Sequence, residues 1–253
     1  MILSIDIGNT NIRCALGTSQ NYKLAKAETS NITNADNFAA FIQKNFMKEM
    51  PQVTGGVFSS VVPHKNTDIL KALKGIAISQ VDITKMGVDF TTYKSAIGQD
   101  RAVCAAMAAK KHRTPIVVID FGTATTINIV DENRTYMGGA ILAGVQTGIN
   151  ALARGTARLP QLDLSGGNTA NINPIGTDTQ ACIISGAVLG AAYAAEGYVR
   201  HIETIFAKKH MSPPTIIITG GNATKVIPHC NFNYIHEPNL LIEGLFMHYE
   251  DTR

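Results

Sequence analysis

Aspartate is depleted in strands, and a carboxylate buried in an apolar run is costly without a partner. Yet Asp6 lies within Ile5-Asp6-Ile7-Gly8-Asn9-Thr10, and Asp120 within Ile119-Asp120-Phe121-Gly122-Thr123-Ala124. Each segment is an apolar run with one acid, a glycine turn with small amide or hydroxyl residues, and a second apolar run. Each Asp can cap its own turn by accepting nearby N–H bonds. Alternatively, it reaches into a cleft to hold a cation or water while the turn offers N–H groups and hydroxyls to a phosphate. A third glycine turn, Thr219-Gly220-Gly221-Asn222-Ala223, follows the apolar run 216–218. It is either a plain strand-to-helix turn or a place where backbone approaches a flat base or ribose. Finally, Gly98-Gln99-Asp100-Arg101 precedes an Ala-rich stretch. Asp100 can be an N-cap, but a cation at the next position is out of place in a helix's first turn. A carboxylate beside a guanidinium also suits acceptor chemistry, in which one takes a proton from a hydroxyl while the other holds an anionic substrate.

The elements that must position these groups alternate in type. Residues 2–7, 12–16, 53–62, 116–119, 126–130 and 215–218 read as strands, and 38–47, 67–73, 101–111, 178–205 and 240–249 as helices. Interleaved strands and helices predict an α/β fold. The two acid-bearing hairpins repeat with their aspartates at 6 and 120, close to half a chain of 253 residues apart. A duplicated strand–turn–strand unit predicts two similar domains, 1–114 and 115–253, with the last helix free to pack back on the first.

Composition sets the limits. Only 16% of residues are charged, against about 25% in typical soluble domains. Disorder, a coiled coil or a basic nucleic-acid arm would each need more charge, and a net charge of +3 spread along the chain gives no nucleic-acid footprint. The low charge hints at surface covered by a partner or between domains. Lys110-Lys111-His112-Arg113 reads as a solvated helix end. Cys14, Cys104, Cys182 and Cys230 lie far apart, with no Cys-x-x-Cys and no spaced ligand set for zinc. Residues 181–195 are uncharged but Ala/Gly-rich and short of the roughly 20 apolar residues of a membrane span. Asp6 would interrupt a signal core. A soluble protein of a reducing, cytoplasmic compartment is expected, with neither membrane nor nucleic acid as partner. The phosphate-loop, dinucleotide, nucleophile-elbow, zinc-helix and protein-kinase motifs are absent from the sequence.

Two acid-bearing hairpins followed by a late Thr-Gly-Gly turn resemble the ordered pattern of the actin-like ATPase and sugar-kinase superfamily. That resemblance implies two ribonuclease-H-like domains, each a mixed five-stranded sheet flanked by helices, with ATP between them. More specifically, the chain resembles the type III pantothenate kinases along nearly its whole length. The matching segments are IDIGNTN (5–11), SSVVP (59–63), GQDR (98–101), IDFGTATTINIVD (119–131), GGAILAG (138–144), ALARGTARLP (151–160), IGTDT (175–179), TGGNA (219–223) and NLLIEGL (239–245).

The resemblance implies ATP-dependent phosphorylation of pantothenate, the first step of coenzyme A synthesis. Under it, Asp6, Ile7, Gly8, Asn9, Thr10, Asn11, Ile12 and Arg13 form the ATP phosphate loop, with Asp6 near the Mg2+-bound phosphates. Asp100 is the general base, and Gly98, Gln99 and Arg101 line the pantothenate pocket. Asp120 binds a monovalent cation, K+ or NH4+, Thr123 contacts ATP, and Gly220 and Gly221 fit the adenosine side. Thr179 contacts pantothenate from the neighbouring subunit of a homodimer.

Two departures stand out. Ala143 replaces the usual Pro of the family's GGxIxPG loop, and the segment 91–97 is short and lacks a Pro, leaving Tyr93 as the candidate for a substrate-facing tyrosine. Gly186, Gly190 and Ala194 put small residues on one helix face, for close packing within a subunit or across an interface. Two other functions stay open. One is a non-catalytic regulatory protein of the same fold, which the intact Asp6, Asp100, Arg101 and Asp120 speak against. The other is a related kinase with another acceptor, which GQDR together with IGTDT speaks against.

Overall fold

In the computed structural model, which describes residues 1–166 and 169–253, the chain divides into two units. One comprises Met1–Lys110 with Leu240–Arg253, the other Lys111–Asn239.

The first unit is built on β1 (Ile2–Ile7), β2 (Asn11–Gly17), β3 (Tyr22–Glu28), β4 (Gly55–Ser60) and β5 (Ile78–Gln80), in the order β3-β2-β1-β4-β5. β1 runs antiparallel to β2, and β2 to β3, while β1 pairs parallel with β4, and β4 with β5. Leu3, Ile5 and Ile7 point to one face, where they meet Phe38, Ile42 and Phe46 of helix α1 (Ala35–Phe46) and Ile69 of α2 (Pro63–Ala72). The i, i+4, i+8 spacing of the α1 residues makes one apolar stripe. Asn34 starts that helix by accepting from the Asn37 N–H at 2.9 Å. On the opposite face of the sheet, Ile2 and Ala15 pack with Ile242 and Phe246 of the last helix, α7 (Leu240–Asp251). With both faces covered, β1 reads as a nearly continuous apolar run. Asp6 shares the α7-side face with Ile2 and Ser4, since side chains alternate along a strand. Helix α3 (Gln99–Lys111) buries Ala102, Val103, Ala105, Ala106 and Ala109, small side chains that let it pack closely.

The second unit repeats the plan. Strands β6 (Ile116–Phe121), β7 (Ala124–Val130), β8 (Tyr136–Ala143), β9 (Thr215–Thr219) and β10 (Ile235–His236) lie in the order β10-β9-β6-β7-β8, with the same parallel and antiparallel pairings. Helices α4 (Val145–Gly155), α5 (Thr179–Lys208) and α6 (Ala223–Val226) complete it. The two sheets correspond register for register at the acids. Asp6 lies opposite Arg13 on β2 and Ser59 on β4, and Asp120 opposite Thr126 on β7 and Thr219 on β9. Thus the fold is α/β, with two mixed five-stranded sheets and flanking helices.

Several elements differ from the pattern read off the sequence. Edge strand β3 (Tyr-Lys-Leu-Ala-Lys-Ala-Glu) is too polar to register as a strand, because only Tyr22, Ala25 and Ala27 are even partly covered. Edge strand β8 hides behind Gly138, at φ +105°, and Gly139, where a Cβ would overlap the Ile127 carbonyl. Helix α4 contains two glycines, and α5 is one uninterrupted 30-residue helix. Among the described residues α5 alone is long and apolar enough for a membrane span. However, Val188, Ala192, Val199 and Phe206 bury one side of it in the second unit's core, as expected of a core helix.

Candidate active site

Asp6 is 6% exposed at the end of β1. Its Oδ1 accepts from the Ser59 hydroxyl at 3.2 Å, and its Oδ2 accepts from Arg13 Nε at 3.1 Å and Nη2 at 2.9 Å. The turn beyond it is tight. The Gly8 N–H donates to the Asn11 carbonyl at 3.0 Å, and Thr29 pins both ends by donating from Oγ1 to the Gly8 carbonyl at 2.7 Å and from N–H to the Thr10 carbonyl at 2.9 Å. Asn9 and Thr10 are left exposed at its tip. A preformed turn with exposed polar residues beside a carboxylate is suited to oxyanions accompanied by a cation.

In the same unit, Asp100 occupies the first turn of α3, half-buried, its Oδ1 accepting from the Arg101 N–H at 2.8 Å. Burial pushes its carboxyl above the ordinary carboxylate range, and the Asp6 charge adds to this, while the bond from Arg101 N–H and the Arg101 charge oppose it. A Cβ on Gly98 would lie 2.6 Å from Asp100 Oδ1, so only glycine leaves that carboxylate its place. The Arg101 guanidinium stands over the Tyr93 ring, 5.9 Å from its centroid. Hydrogen bonding from Arg101, then from Ser95, draws the Tyr93 hydroxyl below its usual pKa. Gln99 is engaged with the sheet: its Oε1 accepts from the Ser60 N–H at 2.9 Å and from Gln80 Nε2 at 3.0 Å.

In the second unit, Gly220 sits at φ +101°, and a Cβ there would lie 2.2 Å from Asp120 Oδ1 and 2.6 Å from the Phe121 backbone. The glycine therefore serves both the turn and the approach to Asp120. Asn222 locks this turn onto the β6–β7 hairpin, donating from its N–H to the Phe121 carbonyl at 2.8 Å and from Nδ2 to the Gly122 carbonyl at 3.1 Å. The Thr123 carbonyl accepts from the Gly144 N–H at 3.1 Å and from Thr147 Oγ1 at 2.6 Å. A buried chain, Tyr136 hydroxyl to Asn128 to Thr126, supports the strand opposite Asp120. Thr179 opens α5 behind its N-cap Asp178, and lines an apolar groove of about 860 Å³ with Gly186, Gly190 and Leu152.

A model of the type III pantothenate kinase family matches residues 2–201. Proteins named type III pantothenate kinase from Brevibacillus brevis and Thermus thermophilus are each 31% identical to the chain. They cover 99% and 97% of it, and 98% and 97% of their own lengths. This chain belongs to the type III pantothenate kinase family. Among solved structures, a Campylobacter jejuni protein named as a Baf family transcriptional activator is 20% identical with a TM-score of 0.58, covering 98% of each chain. A Listeria monocytogenes protein named as an N-acetylmannosamine kinase is 16% identical at 0.56, again over 98% of each. At those identities the likeness concerns the fold alone, two mixed five-stranded sheets with flanking helices.

The residues that the type III pantothenate kinase resemblance singles out are not all used alike in this chain. Asp6, Gly98, Asp100, Arg101 and Tyr93 sit in one unit, and Asp120, Thr123, Gly220 and Gly221 in the other. Gln99 is occupied by backbone and side-chain donors of its own unit. Ser59, which grips Asp6, was visible in the sequence only as part of SSVVP, where a small hydroxyl residue inside a buried strand was the available signal.

Proposed function

We propose that this chain is a pantothenate kinase of the cytoplasm, transferring the γ-phosphoryl group of ATP to the primary hydroxyl of pantothenate at the entry to coenzyme A synthesis. The observation that carries the reading is the start of α3 in a member of this family. There Gly98 leaves room for the Asp100 carboxylate, and Arg101 follows at once.

Phosphoryl transfer to an alcohol asks mainly for positioning and charge neutralisation. In this reading Asp100 accepts the hydroxyl proton while Arg101, Gly98 and Tyr93 hold the anionic substrate. Burial raises the Asp100 carboxyl, which makes its carboxylate a stronger base than that of a solvated aspartate. The turn from Asp6 to Arg13 receives the phosphates, with Thr123, Gly220 and Gly221 as further ATP contacts.

Among the described residues no cluster of three or more Asp, Glu, His and Cys is placed to hold a metal. In this reading Mg2+ would arrive on the phosphates, near Asp6. The turns at Gly122 and Gly220 close on Asp120 Oδ1, and in this reading that carboxylate would hold a monovalent cation, K+ or NH4+. Bound there, such an ion would offset phosphate charge. Thr179 would reach pantothenate from the neighbouring subunit of a homodimer, and the apolar groove behind it supports an interface.

Purified protein supplied with pantothenate and ATP should yield phosphopantothenate and ADP, detected by mass spectrometry. Absence of turnover with K+ and Mg2+ present would overturn this reading.

A further inference from the structure

The last two residues of β4 bond two different elements, Ser59 the Asp6 carboxylate of β1 and Ser60 the Gln99 carboxamide at the start of α3. Ser59, fully buried, donates its hydroxyl to Asp6 on the neighbouring strand. Ser60 donates its backbone N–H to Gln99 Oε1, one residue before Asp100. Gln99 Oε1 accepts a second bond from Gln80 Nε2, and Gln99 Nε2 faces the Val81 carbonyl at 3.5 Å. A carboxamide oxygen has two lone pairs, and both are taken here. Gln99 therefore has no acceptor capacity to spare for a substrate.

We propose that Gln99 is a positioning residue, whose side chain fastens the first turn of α3 to the end of β4 and so holds the Asp100 carboxylate at a set separation from Asp6. The inference rests on the reading of Asp100 as the base. Strand β4 supplies the reference point. Its register with β1 places Ser59 opposite Asp6 and Ser60 opposite Ile7, so the same backbone that orients one acid anchors the other. The covalent path from Asp6 to Asp100 runs through most of the first unit, whereas this path crosses two hydrogen bonds and one strand. A base displaced by about 1 Å from its proton loses rate steeply, up to about 100-fold.

The test compares wild type, Gln99→Ala and Gln99→Glu by steady-state kinetics across pH and by 13C NMR titration of the Asp100 carboxyl without substrate. Gln99→Ala should lower kcat about tenfold or more while the pantothenate KM moves less than about twofold, because orientation rather than binding is lost. Gln99→Glu keeps the acceptor for Ser60 and should recover most of kcat at alkaline pH. Its acidic limb should shift to higher pH, since a second carboxylate now adjoins Asp100. In Gln99→Ala the Asp100 midpoint should fall toward the ordinary carboxylate range as its turn loosens into water.

A raised KM with kcat intact would make Gln99 a substrate contact and overturn the proposal. So would an Asp100 midpoint unchanged in Gln99→Ala. A wild-type protein inactive on pantothenate would count against the function proposed above, while the NMR titration would still decide whether Gln99 governs Asp100.

Discussion

Arg13 holds Asp6 by two nitrogens on a single oxygen, Nη2 at 2.9 Å and Nε at 3.1 Å from Oδ2. The two residues are register partners across the first hairpin, so the strand pairing itself brings them together. A planar fork can make this contact and a point charge cannot. Arg13→Lys should therefore weaken nucleotide binding, seen as a several-fold rise in the ATP KM. Arg13→Ala should also lower stability by roughly 1–3 kcal/mol in denaturant titration, because it leaves a mostly buried carboxylate with Ser59 alone among the hydrogen bonds described above.

Gly220 and Gly221 should respond oppositely to the same substitution. At Gly220 the backbone is left-handed and a Cβ would strike Asp120 and Phe121. Gly220→Ala should cost about 1–3 kcal/mol of stability, measured by thermal or chemical unfolding. At Gly221 an added Cβ meets no heavy atom within 4 Å among the described residues. Gly221→Ala should fold normally, and an increase in the ATP KM would place the ligand against that residue. An unchanged ATP KM would remove Gly221 from the nucleotide contacts.

The pH dependence follows from Asp100. Burial raises its carboxyl above the ordinary value, so the base is lost to protonation at a higher pH than for a solvated aspartate. The acidic limb of kcat/KM should lie above the ordinary carboxylate range and vanish with turnover in Asp100→Asn. Stability takes the opposite sign. A carboxyl whose pKa is raised by folding contributes stability below its unfolded pKa, and that contribution is lost as pH rises through the folded pKa. Asp100→Asn should thus gain in Tm over wild type as pH increases, read by calorimetry from acid to neutral pH.

What the sequence made legible was whatever had a local signature. The paired acids of β1 and β6 stood out because each interrupts an apolar run, and the duplicated topology follows from them. The site was less legible, because its supports are nonlocal. Ser59 meets Asp6 from 53 residues away, and Ser60 meets Gln99 from 39. No periodicity marks such pairs. Gln99 shows the consequence: the family resemblance makes it a pocket residue, and nothing in its sequence neighbourhood marks the bonds it accepts from Ser60 of β4 and Gln80 of β5. Edge strands β3 and β8 lack such a signature for a different reason, since each has a face in solvent and carries lysines or glycines where a buried strand would carry valines.

The last prediction concerns the groove lined by Thr179. Small residues on α5 form its floor, and an added Cβ at Gly186 or Gly190 meets no heavy atom within 4 Å among the described residues. Exposed apolar side chains surround the same elements, with Leu152 at 43%, Tyr193 at 56% and Ile175 at 75%. A leucine at 190 should therefore leave the subunit folded yet fill the space a second copy would occupy. Gly190→Leu should sediment as a monomer and lose turnover if Thr179 acts across the interface. Mixing Asp100→Asn with Thr179→Val subunits gives the complementary test. Random pairing in a two-fold dimer would regenerate about a quarter of the wild-type sites, each with an intact Asp100 from one chain and an intact Thr179 from the other. Recovery of activity near that fraction would establish a shared site. No recovery despite heterodimers confirmed by native mass spectrometry would confine each site to one subunit.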